Sequence, residues 1–144
     1  MEKKQLEELL KELEHHKEIY EEMNLILDTT FDFISIADGE GMFLRLSKGS
    51  EEIFSVSEEE IIGSSCYDVE RMGIVDNSVT RVVLETGKKI SSVQITQGGK
   101  RFMVIGIPMF DDKGRLKRII NISRDITEIE KLNNRLKETE ELLD

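Results

Sequence analysis

The chain has 144 residues, 38% hydrophobic and 35% charged, with a formal net charge of −10. That is enough apolar material for one domain core with accessory helices and too little for two, and an acidic balance without a basic stripe argues against direct nucleic-acid binding by this segment. The single cysteine, Cys66, excludes an internal disulfide and fits a reducing cytoplasm; Met1-Glu2-Lys3-Lys4 opens no signal peptide, and no run approaches the roughly 18 apolar residues of a membrane span.

Residues 1–28 carry 9 acidic and 4 basic groups. Leu6, Leu9, Leu13, His16, Tyr20, Met23 and Leu27 alternate in steps of three and four, an a/d seam flanked by Glu and Lys. This predicts an amphipathic helix over residues 1–27 that pairs in a homodimeric coiled coil. Leu10, Ile19 and Ile26 widen the stripe, so a single helix folded onto its own domain is the alternative.

From Phe31 to Ala37 the pattern becomes that of a strand; Asp38-Gly39-Glu40-Gly41 turns it into a second strand, Met42 to Ser47. Short helices follow at 50–54 and 57–62, the second stopped by Gly63 and opened by Ser57 and Glu60 in capping-box spacing. Residues 64–76 have little periodicity and read as loop with a turn of helix. Asn77 to Thr86 reads as a helix with Val79, Val82, Val83 and Leu84 on its apolar side and Gly87 as its stop. Three strands come next: Ile90–Thr96, Arg101–Phe110 and Leu116–Ser123, joined by turns at Gly98-Gly99 and Asp111-Asp112-Lys113-Gly114. The middle one is apolar on both faces and needs cover on both; the short helices can supply one side and the N-terminal helix is the candidate for the other. Pro108 predicts a bulge or fraying near its end. Asp125 and Glu128 then stand in capping-box spacing at the start of a last helix, whose seam is Ile129, Leu132, Leu136, Thr139 and Leu143. The pattern stops in mid-seam, as in a fragment cut before an output domain.

The order of two strands, small helices, a longer helix, three strands and then Asp125-Ile126-Thr127 opening a helix resembles the PAS sensor domain over residues 28–127. The Asp-Ile-Thr junction is the most specific element, supported by the turn glycines and by Glu59-Glu60-Ile61-Ile62-Gly63. Val83-Leu84-Glu85-Thr86-Gly87-Lys88-Lys89 and Gly106-Ile107-Pro108-Met109-Phe110-Asp111 are similar to PAS modules of bacterial sigma-54-dependent activators. The resemblance implies an α+β fold: a five-stranded antiparallel sheet in the order 2-1-5-4-3, with short helices on one face, a small pocket, and flanking coiled-coil helices, the second being a signalling helix over 128–144. The sequence departs from the common pattern at Ser47-Lys48, where many relatives carry Asn-Pro.

The candidate chemistries are few. Cys66 follows Gly63-Ser64-Ser65, where the flavin-binding branch of the family carries its adduct-forming cysteine; the neighbouring residues, Tyr67-Asp68-Val69-Glu70, do not match, which argues against flavin. A haem would need an axial ligand in the globule, and the only histidines, His15 and His16, precede it; Met72 and Cys66 are the remaining substitutes. Adjacent helical positions point about 100° apart, so the two histidines are poor joint metal ligands. Glu58-Glu59-Glu60 and Asp111-Asp112 read as a helix start and a turn, and no metal site or catalytic constellation stands out. A ligand pocket, if present, is expected to be apolar, lined by Ile34, Ile36, Phe54, Met72, Val83, Phe102, Val104 and Ile120, with Arg45 as the charged anchor. Relay of the signal falls to Asp125, Thr127 and Glu128, with Asp125, by resemblance, pairing with a basic side chain of the sheet or helix. The overall expectation is a non-enzymatic, dimeric, cytoplasmic sensor of a small molecule or partner. Its rivals are the sensor module of a histidine kinase or diguanylate cyclase, and a ligand-free structural dimerisation module.

Overall fold

The computed structural model describes residues 2–29 and 32–143, apart from the side chains of residues 27–29, 50 and 53. The chain divides into two units, Met1–Thr30 and Phe31–Asp144. The first is one helix, α1 (Glu2–Thr29), 28 residues long and so about 42 Å from end to end. Its seam residues Leu6, Leu9, Leu13, Tyr20 and Met23 are exposed. His16 is exposed as well, 3.8 Å from Glu12 one turn earlier. Leu27 of the predicted seam lies outside the described side chains.

The second unit is built on β1 (Phe33–Asp38), β2 (Phe43–Leu46), β3 (Ile90–Ile95), β4 (Arg101–Phe110) and β5 (Leu116–Asp125). They form one antiparallel sheet in the order β2-β1-β5-β4-β3, as expected. Between β2 and β3 run α2 (Ser50–Phe54), α3 (Glu58–Ile61), α4 (Cys66–Arg71) and α5 (Val79–Thr86), and α6 (Thr127–Leu143) follows β5. The turns obey local chemistry. Asp38 Oδ1 accepts from the N–H groups of Glu40 and Met42, and Asp111 Oδ1 accepts from those of Lys113 and Arg115, each an acidic side chain replacing a missing backbone partner. Ser57 does precede α3, but its side chain makes no cap bond. The capping box lies instead at Ser65 and Asp68, which open α4 inside the stretch that had looked like loop. Register shifts between Met109 and Phe110, one residue past Pro108. β3 has already ended there, opposite Gly106, so the missing N–H falls on a free edge.

The core lies between the sheet's inner face and the short helices. It gathers Ala37, Phe43, Ile61, Cys66, Val69, Ile74, Val75, Val79, Val83, Phe102, Val104 and Ile119. A fully buried aliphatic side chain contributes about 1.5–3 kcal/mol, and α5 brings two such residues, Val79 and Val83, against β4. Their approach needs Gly106. A Cβ there would stand 2.6 Å from Val79 Cγ1 and 2.7 Å from Val83 Cγ2. Gly106→Ala is therefore expected to overpack the sheet–helix contact and cost about 1–3 kcal/mol, read as a lower melting temperature with unchanged far-ultraviolet circular dichroism. An unchanged melting temperature would show that α5 can lift off β4 freely.

Candidate functional site

Pleating fixes which residues look inward. Cross-strand partners share a face, and the inner rows are Phe33–Ser123–Val104 and Ser35–Asn121–Gly106. The inner face thus carries polar groups at its centre. Asn121 is 3% exposed; its Nδ2 donates to Ser35 Oγ at 3.1 Å and to Thr80 Oγ1 of α5 at 2.8 Å. Its Oδ1 is buried with no hydrogen-bond partner among the described residues, beside the space that Gly106 leaves, where a Cβ would come within 3.1 Å of it. Around this cluster lies a cavity of about 30 Å³. Its polar side is Ser35, Ser78, Thr80, Gln94, Asn121 and Ser123, and its apolar side is Phe43, Leu46, Phe54, Ile61, Val69, Val75 and Val104.

Of the residues expected to line a pocket, Phe54 and Val104 do so. Val83 and Phe102 are buried in the same core without lining the cavity. Ile34, Ile36 and Ile120 do not belong to it: Ile34 pairs with Ile122 and Ile36 with Ile120 on the outer face, one step out of phase with Ser35 and Asn121. Arg45 is excluded by a bulge. Ser35 pairs with Leu46 and Ala37 with Phe43, so the shift between Ile36 and Ala37 leaves Arg45 opposite outward Ile36. Met72 follows α4 and is 56% exposed. The polar lining was missed because an apolar-inside rule assigns serine and asparagine outward; only the pairing register shows otherwise.

A buried-edge ion network holds the helical wall. Glu70 of α4 accepts from the N–H of Ser78 at 2.8 Å and from Arg81 Nε at 2.9 Å. Arg81 reaches Glu85 at 3.1 Å, and Tyr67 donates to Glu85 at 3.3 Å. Burial pushes the Glu70 carboxyl up, but Arg81 and the Ser78 N–H outweigh it and hold the group below its ordinary value. Cys66 is wholly buried, and desolvation pushes its thiol up despite backbone hydrogen bonds, so it behaves as a small apolar residue.

At the junction with α6, Asp125 Oδ1 accepts from the N–H of Thr127 at 2.9 Å. No hydrogen bond joins Glu128 to Asp125 among the described residues, so the expected capping box is not formed, and Asp125 makes no ion pair there. The ion pair comes from residues that the sequence did not single out: Arg101 Nε stands 2.7 Å from Glu130 Oε2. The backbone of Arg101 is engaged too. Its N–H donates to Thr127 Oγ1 at 2.9 Å and its carbonyl accepts from the N–H of Ile126 at 2.9 Å. The first residue of β4 therefore grips the start of α6 through both its backbone and its side chain.

The family model for the PAS domain matches residues 32–128. The chain belongs to the PAS domain family. Among solved structures, a PAS domain of a protein from Colwellia psychrerythraea is 22% identical with a TM-score of 0.56, over 76% of this chain and 98% of that one. The PAS domain of an HTR-like protein from Haloarcula marismortui is 17% identical with a TM-score of 0.58, over 81% and 98%. The PAS domain of Bordetella pertussis BvgS is 24% identical with a TM-score of 0.56, over 86% and 98%. No curated protein matches. PAS domains are typically sensory, non-catalytic modules, and no helix among the described residues is long and apolar enough to cross a membrane.

Because the folded carboxyl of Glu70 sits below its ordinary value of 4.5, its contribution is complete above that value and is lost as pH falls through the folded one. Glu70→Gln is expected to lower the melting temperature at neutral pH and to flatten its decline on the acid side. Parallel acid limbs for the two proteins would remove Glu70 from the account of acid stability.

Proposed function

We propose that this PAS domain is the sensory part of a dimeric, cytoplasmic bacterial regulator, in which occupancy of the internal cavity is passed to an output module through α6. The observation that carries the reading is the grip of Arg101 on α6 at one end of β4, with Val104 of the same strand lining the cavity. A second link supports it: Phe54 lines the cavity, and the carbonyl of the next residue, Ser55, accepts from Gln97 Nε2 at 3.3 Å. Gln97 belongs to the turn before β4. An occupant that displaces Phe54 or Val104 therefore pulls on the hairpin whose end holds α6. Asp125 and Thr127 shape the junction, and Glu130 with Arg101 replaces Glu128 as its electrostatic tie. The resemblance of residues 83–89 and 106–111 favours a sigma-54-dependent activator as the output.

Dimerisation is proposed through the flanking helices, whose apolar seams are exposed: Leu6, Leu9, Leu13, Tyr20 and Met23 in α1, and Ile129, Leu132 and Leu136 in α6. Sedimentation of this chain at micromolar concentration is expected to give twice 16.6 kDa. Lysine at Leu13 and Tyr20 should weaken the dimer more than lysine at Glu12 and Glu21. A monomer at every concentration removes the coiled-coil reading.

The relay has its own test. In the full-length regulator, Arg101→Glu is expected to alter basal output with little change in melting temperature, because an exposed ion pair contributes about 0–1 kcal/mol. Adding Glu130→Arg should restore regulation by rebuilding the pair in reverse. If the single variant regulates normally, or the double one behaves no better than the single, the Arg101–Glu130 tie plays no part in signalling.

A further inference from the structure

The cavity has two properties that bear on its occupant. None of its lining residues is Asp, Glu, Lys, Arg or His, so an ion placed there would lose its hydration with no counter-charge. Its polar cluster also has unspent hydrogen-bonding capacity of both kinds. Asn121 Oδ1 is an acceptor without a donor among the described residues. Ser35 Oγ and Thr80 Oγ1 spend acceptor sites on Asn121 Nδ2, and neither hydroxyl donates in turn to a described residue. The room is small: at roughly 10–15 Å³ per water-sized sphere, about 30 Å³ admits a body of two or three water volumes.

Resting on the sensory reading above, we infer that the cavity takes a small uncharged molecule carrying a hydrogen-bond donor and an acceptor side by side, as a primary carboxamide does. The donor meets Asn121 Oδ1, the acceptor meets the Ser35 or Thr80 hydroxyl, and a short apolar remainder lies against Phe54 and Val104. Charged analogues of the same shape are refused because nothing in the lining balances them.

Three probes of one size separate the determinants: acetamide is neutral with donor and acceptor, acetone keeps only the acceptor, and acetate carries charge. Each is titrated into the isotope-labelled protein while the side-chain amide signals of Asn121 and the backbone signals of Thr127–Glu130 are followed by NMR. Acetamide is expected to shift the Asn121 signals saturably, acetone to bind at least tenfold more weakly, and acetate to leave them unchanged. Read instead at the backbone amide signals of Ser35, Thr80 and residue 121, Asn121→Leu should abolish the acetamide response, and Met72→Ala, at an exposed position outside the lining, should retain it. Equal binding of acetone or acetate, or no saturable response to acetamide, overturns the inference. The relay reads out separately: saturation at Asn121 with still signals at Thr127–Glu130 supports the ligand class and removes the sensory relay. Movement of α6 with acetate bound does the opposite.

Discussion

The side-to-side alternation of a pleated strand decides what this domain can hold. Once Phe33 and Ala37 face the helices, Ser35 must face them too, and its partner on β5 is Asn121. A polar pair is thereby committed to the interior, where an unpaired polar atom costs about 1–3 kcal/mol. Thr80 from α5 and Ser35 from β1 answer the two hydrogens of the amide nitrogen; the amide oxygen has no partner among the described residues. Gly106 on the neighbouring strand completes the constraint, since any side chain there would fill the space beside that oxygen and push α5 away. The cavity is thus a consequence of register, glycine and amide acting together, and none of the three makes it alone.

That origin explains how legible the molecule was. Strand order, strand number and the sequence of helices follow from turn chemistry and hydrophobic period, and these lie on the surface of the sequence: Gly87 ends α5 in the left-handed region at φ 67°, and Asp111 with Gly114 turns β4 into β5. The candidate lining did not follow. Ile34, Ile36 and Ile120 are strongly apolar, and a rule that sends apolar residues inward selects them over Ser35 and Asn121. A sheet buried on one face and apolar on both offers no such choice, and the phase is set by what α5 and β2 pack against. Arg45 shows the same limit in smaller form, because a single bulge between β1 and β2 reverses its face. Local rules fail here at a cluster of buried polar residues, which is the feature the proposed ligand site is built on.

The junction with α6 was half legible for a different reason. Asp125, Ile126 and Thr127 are consecutive, so their turn is written locally, and the Thr127 N–H donates to Asp125 Oδ1 two residues back. Arg101 is 26 residues from Thr127 and is brought to it only because β4 and β5 pair from Phe102 opposite Asp125 onward. Such a contact is invisible without the sheet. It also differs physically from a helix cap. A cap steadies one helix end, whereas Arg101 ties that end to a second strand by two backbone bonds and an ion pair.

The placement of charge follows from the same division of labour. Within the globule, ion pairs sit at the rim: Glu70 with Arg81 across α4 and α5, Arg124 with Asp32, and Arg101 with Glu130. The more exposed of these, Arg124–Asp32 and Arg101–Glu130, are of the kind that contributes little to stability. The cavity lining is uncharged, and there the interactions are directional and short. Under the proposed relay, a change at the centre is felt as a change of shape, through strands and helices that cannot deform continuously. Among the rim pairs, Arg101–Glu130 joins the sheet to α6, the place where the proposed relay leaves the globule.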